Sequence, residues 1–147
     1  VLREAEKTAE VSHNHPEGIK GAQAVALAVF LAKMGEAKQS IREEISGRFG
    51  YDLDSTVMRI RPTYTFDVSC QGSIPEALVA FLDSEDYEDA VRLAVSLGGD
   101  SDTLACIAGG IAQAYYGEIP DSIVRNTRER LTPHLRQVLD RFEGVYL

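Results

Sequence analysis

The feature that most constrains the fold is a glycine–acid turn followed by a long uncharged segment, LGGDSDTLACIAGGIAQAYYG, at residues 97–117. Asp, Ser and Thr are favoured at helix N-termini, so the pattern predicts a helix that begins between Asp100 and Thr103. Small and apolar residues follow this start, which predicts a buried helix at the centre of the fold. The pair Gly109–Gly110 lowers helix stability, and the expected reason is close approach of another helix, over residues 18–34.

The start of this helix carries two carboxylates and a hydroxyl, from Asp100, Asp102 and Thr103. Hard oxygen ligands suit Mg²⁺, Mn²⁺ or Ca²⁺ better than Zn²⁺. A solvated helix cap explains the same residues equally well, because Asp and Ser cap many helices. Residue types alone therefore leave two interpretations, a metal site and an ordinary cap.

Other segments also have the pattern of helices. Residues 21–32 contain no charge, which predicts a helix buried on nearly all sides. The segment Ser73–Glu76 is a capping box and predicts a helix with Ser73 as its N-cap. Residues 63–70 alternate like a strand but have no partner strand, so we expect an extended loop there. A last helix after Thr132–Pro133 is expected to face inward through Leu135, Val138, Leu139 and Phe142.

Short connections between these helices predict an all-α fold, a compact orthogonal helical bundle around the central Ala/Gly-rich helix. The 147 residues are enough for a single domain, residues 1–147, with a real core. Two cysteines are too few for a disulfide framework, and Cys106 is expected to be a small core residue.

Charge and composition narrow the function classes. The chain has 23 acidic and 15 basic residues, a formal net charge of −8, which argues against binding to nucleic acid or to anionic membranes. The uncharged segments are too short to span a membrane, and we see no secretory signal pattern. The expected compartment is the cytoplasm.

A polar loop at Ser12–Pro16 contains two histidines, His13 and His15. The residue before proline avoids the helical region, so the loop should be extended. Two histidines without a third ligand of the right kind argue against zinc. Contact of one imidazole with a bound ligand is the more plausible role.

Three segments together resemble the ADP-ribosylglycohydrolase family: SHNHP at 12–16, CQGSIPEAL at 70–78 and LGGDSDT at 97–103. The resemblance implies an all-α hydrolase that removes ADP-ribose from modified protein side chains or from related small adducts. It also implies a pair of Mg²⁺ ions, for which Mn²⁺ could substitute.

The resemblance also implies roles for individual residues. It makes Asp100 and Asp102 catalytic, with Asp100, Asp102 and Thr103 as metal ligands. It places His13, Gly72 and Ser73 against the bound ADP-ribose.

The chain departs from the family pattern in one respect. Family members carry an N-terminal half with Gly-Asp and Thr-Asp-Asp motifs, which completes the metal pair. The adjacent acid pairs of this sequence are Glu43–Glu44, Glu85–Asp86 and Glu88–Asp89, in helix-surface contexts. We therefore expect the C-terminal part of a longer enzyme. It should be inactive when isolated and should associate with the missing N-terminal half or with itself.

Two other function classes stay open. One is a non-catalytic ADP-ribose-binding or regulatory helical module. The other is a metal-dependent phosphohydrolase, since paired aspartates and Mg²⁺ also serve that chemistry. Release of ADP-ribose, of phosphate or of neither product would separate the three classes.

Overall fold

The structure, a computed structural model, describes residues 1–146; Leu147, the last residue of the predicted domain, lies outside this range. Within the described range the chain forms nine helices and no strand, which confirms the all-α fold. In chain order they are α1 (Leu2–Glu10), α2 (Pro16–Lys33), α3 (Lys38–Phe49), α4 (Val57–Ile60), α5 (Cys70–Asp83), α6 (Tyr87–Ser96), α7 (Ser101–Tyr116), α8 (Asp121–Arg130) and α9 (Pro133–Tyr146).

Helix α7 lies at the centre of the fold because it packs against α2, α5 and α6. Its inner face is buried and consists of Leu104, Ala108, Gly109, Ile111 and Ala112. The opposite face is exposed along Cys106, Gly110 and Gln113, which are spaced as one stripe of a helix. The prediction of a central helix is therefore confirmed. The prediction that Cys106 is a core residue is wrong, because Cys106 lies on the exposed face.

The two adjacent glycines of α7 have different surroundings. A Cβ on Gly109 would lie 3.3 Å from Val91 Cγ2 and 3.5 Å from the Tyr87 hydroxyl oxygen, both on α6. Gly110 has open space around it. Successive helix residues point about 100° apart, so one neighbour cannot cover both. The close neighbour is α6 at Gly109, not the predicted helix over residues 18–34.

Helix α5 is the most deeply buried helix, with an inner run from Ala77 to Leu82. It begins earlier than predicted, because the Ser69 hydroxyl accepts a hydrogen bond from the Gly72 N–H at 3.1 Å and caps the helix there. Ser73 lies inside the helix, where its hydroxyl donates to the Asp67 carbonyl at 3.0 Å. The predicted cap at Ser73 is wrong, and the extended loop before α5 is confirmed.

Helix α2 is less enclosed than its uncharged sequence predicts. Gly21, Ala24 and Ala28 are buried, whereas Phe30 near the end of the helix is 43% exposed. The helix has 18 residues, and no helix within the described range is long and apolar enough to cross a membrane.

The last two helices have no buried residue. They are joined by Arg128 of α8, which forms ion pairs with Asp140 and Glu143 of α9. Of the predicted inward side chains of α9, Leu139 is partly buried, whereas Leu135, Val138 and Phe142 are exposed at 50%, 49% and 55%. This prediction is wrong because residues 1–146 place no core surface against α9.

The C-terminal end of α5 is held by hydrogen bonds from residues outside this helix. The Tyr116 hydroxyl, at the end of α7, donates to the Ser84 carbonyl at 2.7 Å. The Lys38 ammonium donates to the Leu82 carbonyl at 3.2 Å. These bonds satisfy carbonyl groups that a helix end leaves without an intrahelical partner.

The surroundings of the two glycines predict opposite effects of substitution. Gly109→Leu should lower the free energy of unfolding by about 1–3 kcal/mol, because added methylenes strain a packed interface. Gly110→Ala should raise it by up to about 1 kcal/mol, because alanine is the better helix former. Urea denaturation followed by circular dichroism measures both changes. Equal destabilisation by the two substitutions would contradict the assignment of Gly109 to the α6 contact.

Candidate functional site

The candidate site is centred on the turn between α6 and α7. Gly98 and Gly99 have φ angles of +77° and +60°, values that favour glycine. A Cβ on Gly99 would also lie 2.8 Å from a ring carbon of Tyr64 and 3.1 Å from the Thr65 carbonyl oxygen. Glycine is thus required at this position for both its backbone angle and its close contact. The turn leads directly into Asp100, the N-cap of α7.

The acidic residues lie at the start of α7, as predicted, and are open to solvent. Asp102 and Thr103 are exposed and Asp100 is half-buried. The Asp102 carboxylate accepts a hydrogen bond from the Thr103 N–H at 3.0 Å. A hydrogen bond from the Asp100 carboxyl, aided by backbone N–H groups of Thr103 and Asp102, lowers the pKa of Asp102 below its usual range. Asp102 is therefore charged at neutral and mildly acidic pH.

The oxygen donors of this turn fit a hard divalent cation in kind but not in number. Two carboxylates and a hydroxyl match the ligand chemistry of Mg²⁺ and Mn²⁺. Within residues 1–146, however, no group of three or more His, Cys, Asp or Glu side chains is placed to hold an ion. The donor types of the turn thus match such a cation, while the described residues do not assemble a complete ligand group.

Gly72 and Ser73, the residues of α5 predicted to contact ADP-ribose, belong to the helix end that Tyr64 links to this turn. The Gly72 carbonyl accepts a hydrogen bond from the Tyr64 hydroxyl at 3.0 Å. A Cβ on Gly72 would overlap the Asp67 carboxylate, so a larger residue there would displace the Asp67 side chain. The Ser73 hydroxyl is buried and already bonded to the Asp67 carbonyl. The hydrogen bonds of Gly72 and Ser73 thus hold residues 64–67 in place.

The segment 64–67 connects the two parts of the candidate site. It packs on the Gly99 turn on one side and bonds to the first turn of α5 on the other. Sequence reasoning assigned no function to this segment, because its strand-like alternation without a partner strand predicts only an extended loop. One feature of the sequence could have indicated the contact: Tyr64 lies eight residues before Gly72, close enough along the chain for its hydroxyl to reach the Gly72 carbonyl.

Carboxylates around this segment affect one another. Burial raises the pKa of Glu76, and the nearby Asp67 carboxylate raises it further. Burial also raises the pKa of Tyr64, with smaller contributions from the carboxylates of Glu76, Asp67 and Asp100. Tyr64 therefore stays a neutral hydrogen-bond donor at physiological pH.

His13 lies at the start of α2, where a Cβ on Gly18 would lie 2.9 Å from the His13 carbonyl oxygen. Its exposed ring forms a hydrogen bond of 2.8 Å with the Ser12 hydroxyl, between Nδ1 and Oγ. No hydrogen bond among residues 1–146 joins His13 to the acidic turn. The loop lies near α5 through α2, because a Cβ on Gly21 would lie 3.1 Å from the Cys70 Cβ. The structure thus links Gly72 to the acidic turn through Tyr64 and places His13 next to the first turn of α2.

This chain is similar in sequence to known proteins. Human ADP-ribosylhydrolase ARH3 is 34% identical over 97 residues, which cover 63% of this chain and 26% of that protein. An uncharacterized protein of Archaeoglobus fulgidus is 28% identical over 144 residues, or 88% of this chain and 47% of its own length. The chain therefore spans less than half the length of these relatives.

A solved structure has the same fold. The chain of an "ADP-ribosylglycohydrolase-related protein complex" superposes with a TM-score of 0.67 and 30% identity. The match covers 84% of this chain and 46% of that chain. The family model for ADP-ribosylglycohydrolase matches residues 1–146. This match extends over all the described residues, and the chain belongs to the ADP-ribosylglycohydrolase family.

Proposed function

We propose that this chain supplies the Asp100–Thr103 turn to a Mg²⁺-dependent hydrolase that releases ADP-ribose from modified protein side chains or small adducts. The observation that carries the proposal is the acidic start of α7, fixed against residues 64–67 in a chain of the ADP-ribosylglycohydrolase family. The exposure of Asp102 and Thr103 leaves their oxygens free to bind a cation.

In this proposal Asp100, Asp102 and Thr103 hold Mg²⁺, with Mn²⁺ as a substitute. A bound divalent cation would lower the pKa of a coordinated water and orient ribose hydroxyls. Asp102 supports this role because its pKa is low and its carboxylate is charged before the ion arrives. Of the predicted ligand residues, His13 has an exposed ring that can contact ADP-ribose, and Gly72 offers backbone near the turn.

The same proposal holds that the catalytic site needs further residues. Two carboxylates and one hydroxyl are few ligands for two ions that each prefer six oxygens. The chain spans 46–47% of two similar proteins, so the remaining ligands and a general acid or base would come from the part that those relatives have in addition. Association with such a segment, or with a second copy, would also cover the half-exposed side chains of α9.

The first prediction concerns the metal. The chain should bind Mn²⁺ weakly, with a Kd on the order of millimolar, because part of the ligand set is absent. Asp102→Ala should weaken binding at least about tenfold, since even indirect ligand partners contribute that much. Electron paramagnetic resonance of free Mn²⁺ measures both constants.

Asp121→Ala is the matched control, since Asp121 is an exposed acid at the first residue of α8. It should bind Mn²⁺ like the wild type. The metal assignment is wrong if Asp102→Ala and Asp121→Ala bind Mn²⁺ equally.

The second prediction concerns the ligand. ADP-ribose titrated into ¹⁵N-labelled chain should shift the amide signals of Gly72 and of the Gly98–Thr103 turn. His13→Ala should weaken this binding, whereas His134→Ala, an exposed histidine on α9, should not. Equal affinities of the two variants would remove His13 from the proposed site.

The third prediction concerns catalysis by the isolated chain. With Mg²⁺ and peptides carrying ADP-ribose on arginine or serine, it should release ADP-ribose far more slowly than human ADP-ribosylhydrolase ARH3. A misplacement of about 1 Å can lower a rate about a hundredfold, and missing ligands should lower it further. Chromatography of the products measures the rates. Comparable turnover would contradict the incomplete site, and release of phosphate would indicate a phosphohydrolase.

A further inference from the structure

Tyr64 joins the two structural elements that carry the candidate site. Its hydroxyl donates to the Gly72 carbonyl of α5 at 3.0 Å. Its ring lies on the Gly99 turn, where a ring carbon would be 2.8 Å from a Cβ at that position. Few side chains can make both contacts, since they require a rigid ring with a donor at its far end.

We propose that Tyr64 is a positioning residue, which sets the distance and orientation of the Gly99–Asp102 turn relative to the first turn of α5. One consequence of the inference, that displacement of the turn weakens metal binding, rests on the proposed function. The positioning itself does not. The ring determines how closely the turn approaches, and the hydroxyl prevents the ring from moving along α5.

The neighbours of Tyr64 show why this side chain has the role. Thr65 and Phe66 also approach Gly99, but through backbone atoms, the Thr65 carbonyl and the Phe66 Cα. The Phe66 side chain is 68% exposed and cannot hold the turn. Asp67 bonds to Ser69 and Ser73 on the α5 side. Tyr64 is thus the side chain of this segment that contacts both elements.

The turn has few restraints of its own, chiefly the bond from the Gly98 N–H to the Val95 carbonyl at 3.1 Å, so an external contact is effective. Gly98 and Gly99 have wide backbone freedom, and Asp100 forms no side-chain cap bond. The first backbone bond of α7 runs from the Leu104 N–H to the Asp100 carbonyl, at 3.1 Å. Without the Tyr64 ring, the two glycines could sample other angles, and the start of α7 would fray.

The test compares Tyr64→Ala and Tyr64→Phe with two matched controls. Tyr116→Phe removes one hydroxyl from a similar tyrosine-to-carbonyl bond at the other end of α5. Phe66→Ala shortens an aromatic side chain in the same loop. Amide hydrogen exchange of Leu104, the amide chemical shifts of Gly99 and Asp100, the Tm and the Kd for Mn²⁺ are measured for each.

Tyr64→Ala should speed the exchange of the Leu104 amide and raise the Kd for Mn²⁺, each about tenfold. Tyr64→Phe should restore most of this loss and show a change of about threefold or less, because it lacks a single hydrogen bond. Tyr116→Phe and Phe66→Ala should leave the turn at wild-type values, even where Tyr116→Phe lowers the Tm. A local change at the turn that does not follow the Tm distinguishes positioning from general stability.

Unchanged exchange and shifts of the turn in Tyr64→Ala would overturn the proposal, as would equal changes in Tyr116→Phe. Should Tyr64→Ala fail to fold, Tyr64→Phe decides: a shift of the Gly99 and Asp100 signals beyond that in Tyr116→Phe supports positioning, and its absence refutes it. If the wild type does not bind Mn²⁺, the proposed metal site fails. The exchange and shift data then still decide the role of Tyr64.

Discussion

The close packing of α7 against α6 and α5 is the constraint on which the rest of the structure depends. Small residues on the inner face of α7, Ala108, Gly109 and Ala112, let the neighbouring helices approach. The connection between α6 and α7 must therefore reverse the chain within four residues, Leu97 to Asp100, and two glycines with positive φ allow this. The acidic residues lie next to that reversal, so the packing that forms the core also presents Asp100 and Asp102 at one end of it.

The sequence predicted the helices well because apolar spacing reports which side of a helix is buried. It predicted poorly which helices pack together, because apolar spacing does not identify the neighbour that covers the buried side of a helix. Gly109 and Gly110 looked equivalent in the sequence, yet only the first meets α6. The start of α5 was missed for a related reason. Ser69 and Ser73 are both reasonable caps, and the choice between them depends on Asp67, which bonds to the Ser69 N–H and accepts from the Ser73 hydroxyl.

The sequence predicted those parts of the candidate site that depend on residue type. It did not predict the parts that depend on contacts between distant residues. The start of α7 with Asp100, Asp102 and Thr103 followed from N-cap preferences, and their role as ligands stays a prediction. A family resemblance implies that Gly72 lies near the bound ADP-ribose, which stays a prediction, and the structure links Gly72 to the turn through Tyr64 and Gly99. No rule of composition or periodicity relates those two residues, because a loop side chain finds its partners only when the helices on either side are packed.

Helices α8 and α9 show the limit of amphipathic patterns most clearly. The spacing of Leu135, Val138 and Phe142 defines one apolar face, and the structure forms the helix that the spacing predicts. Those side chains remain about half exposed, and the described contact between the two helices is made by Arg128 with Asp140 and Glu143. Exposed ion pairs contribute little to stability, so this pairing alone does not explain an apolar face of this length. The spacing therefore predicts the helix and its apolar face, whereas what packs against that face depends on tertiary contacts that spacing does not encode.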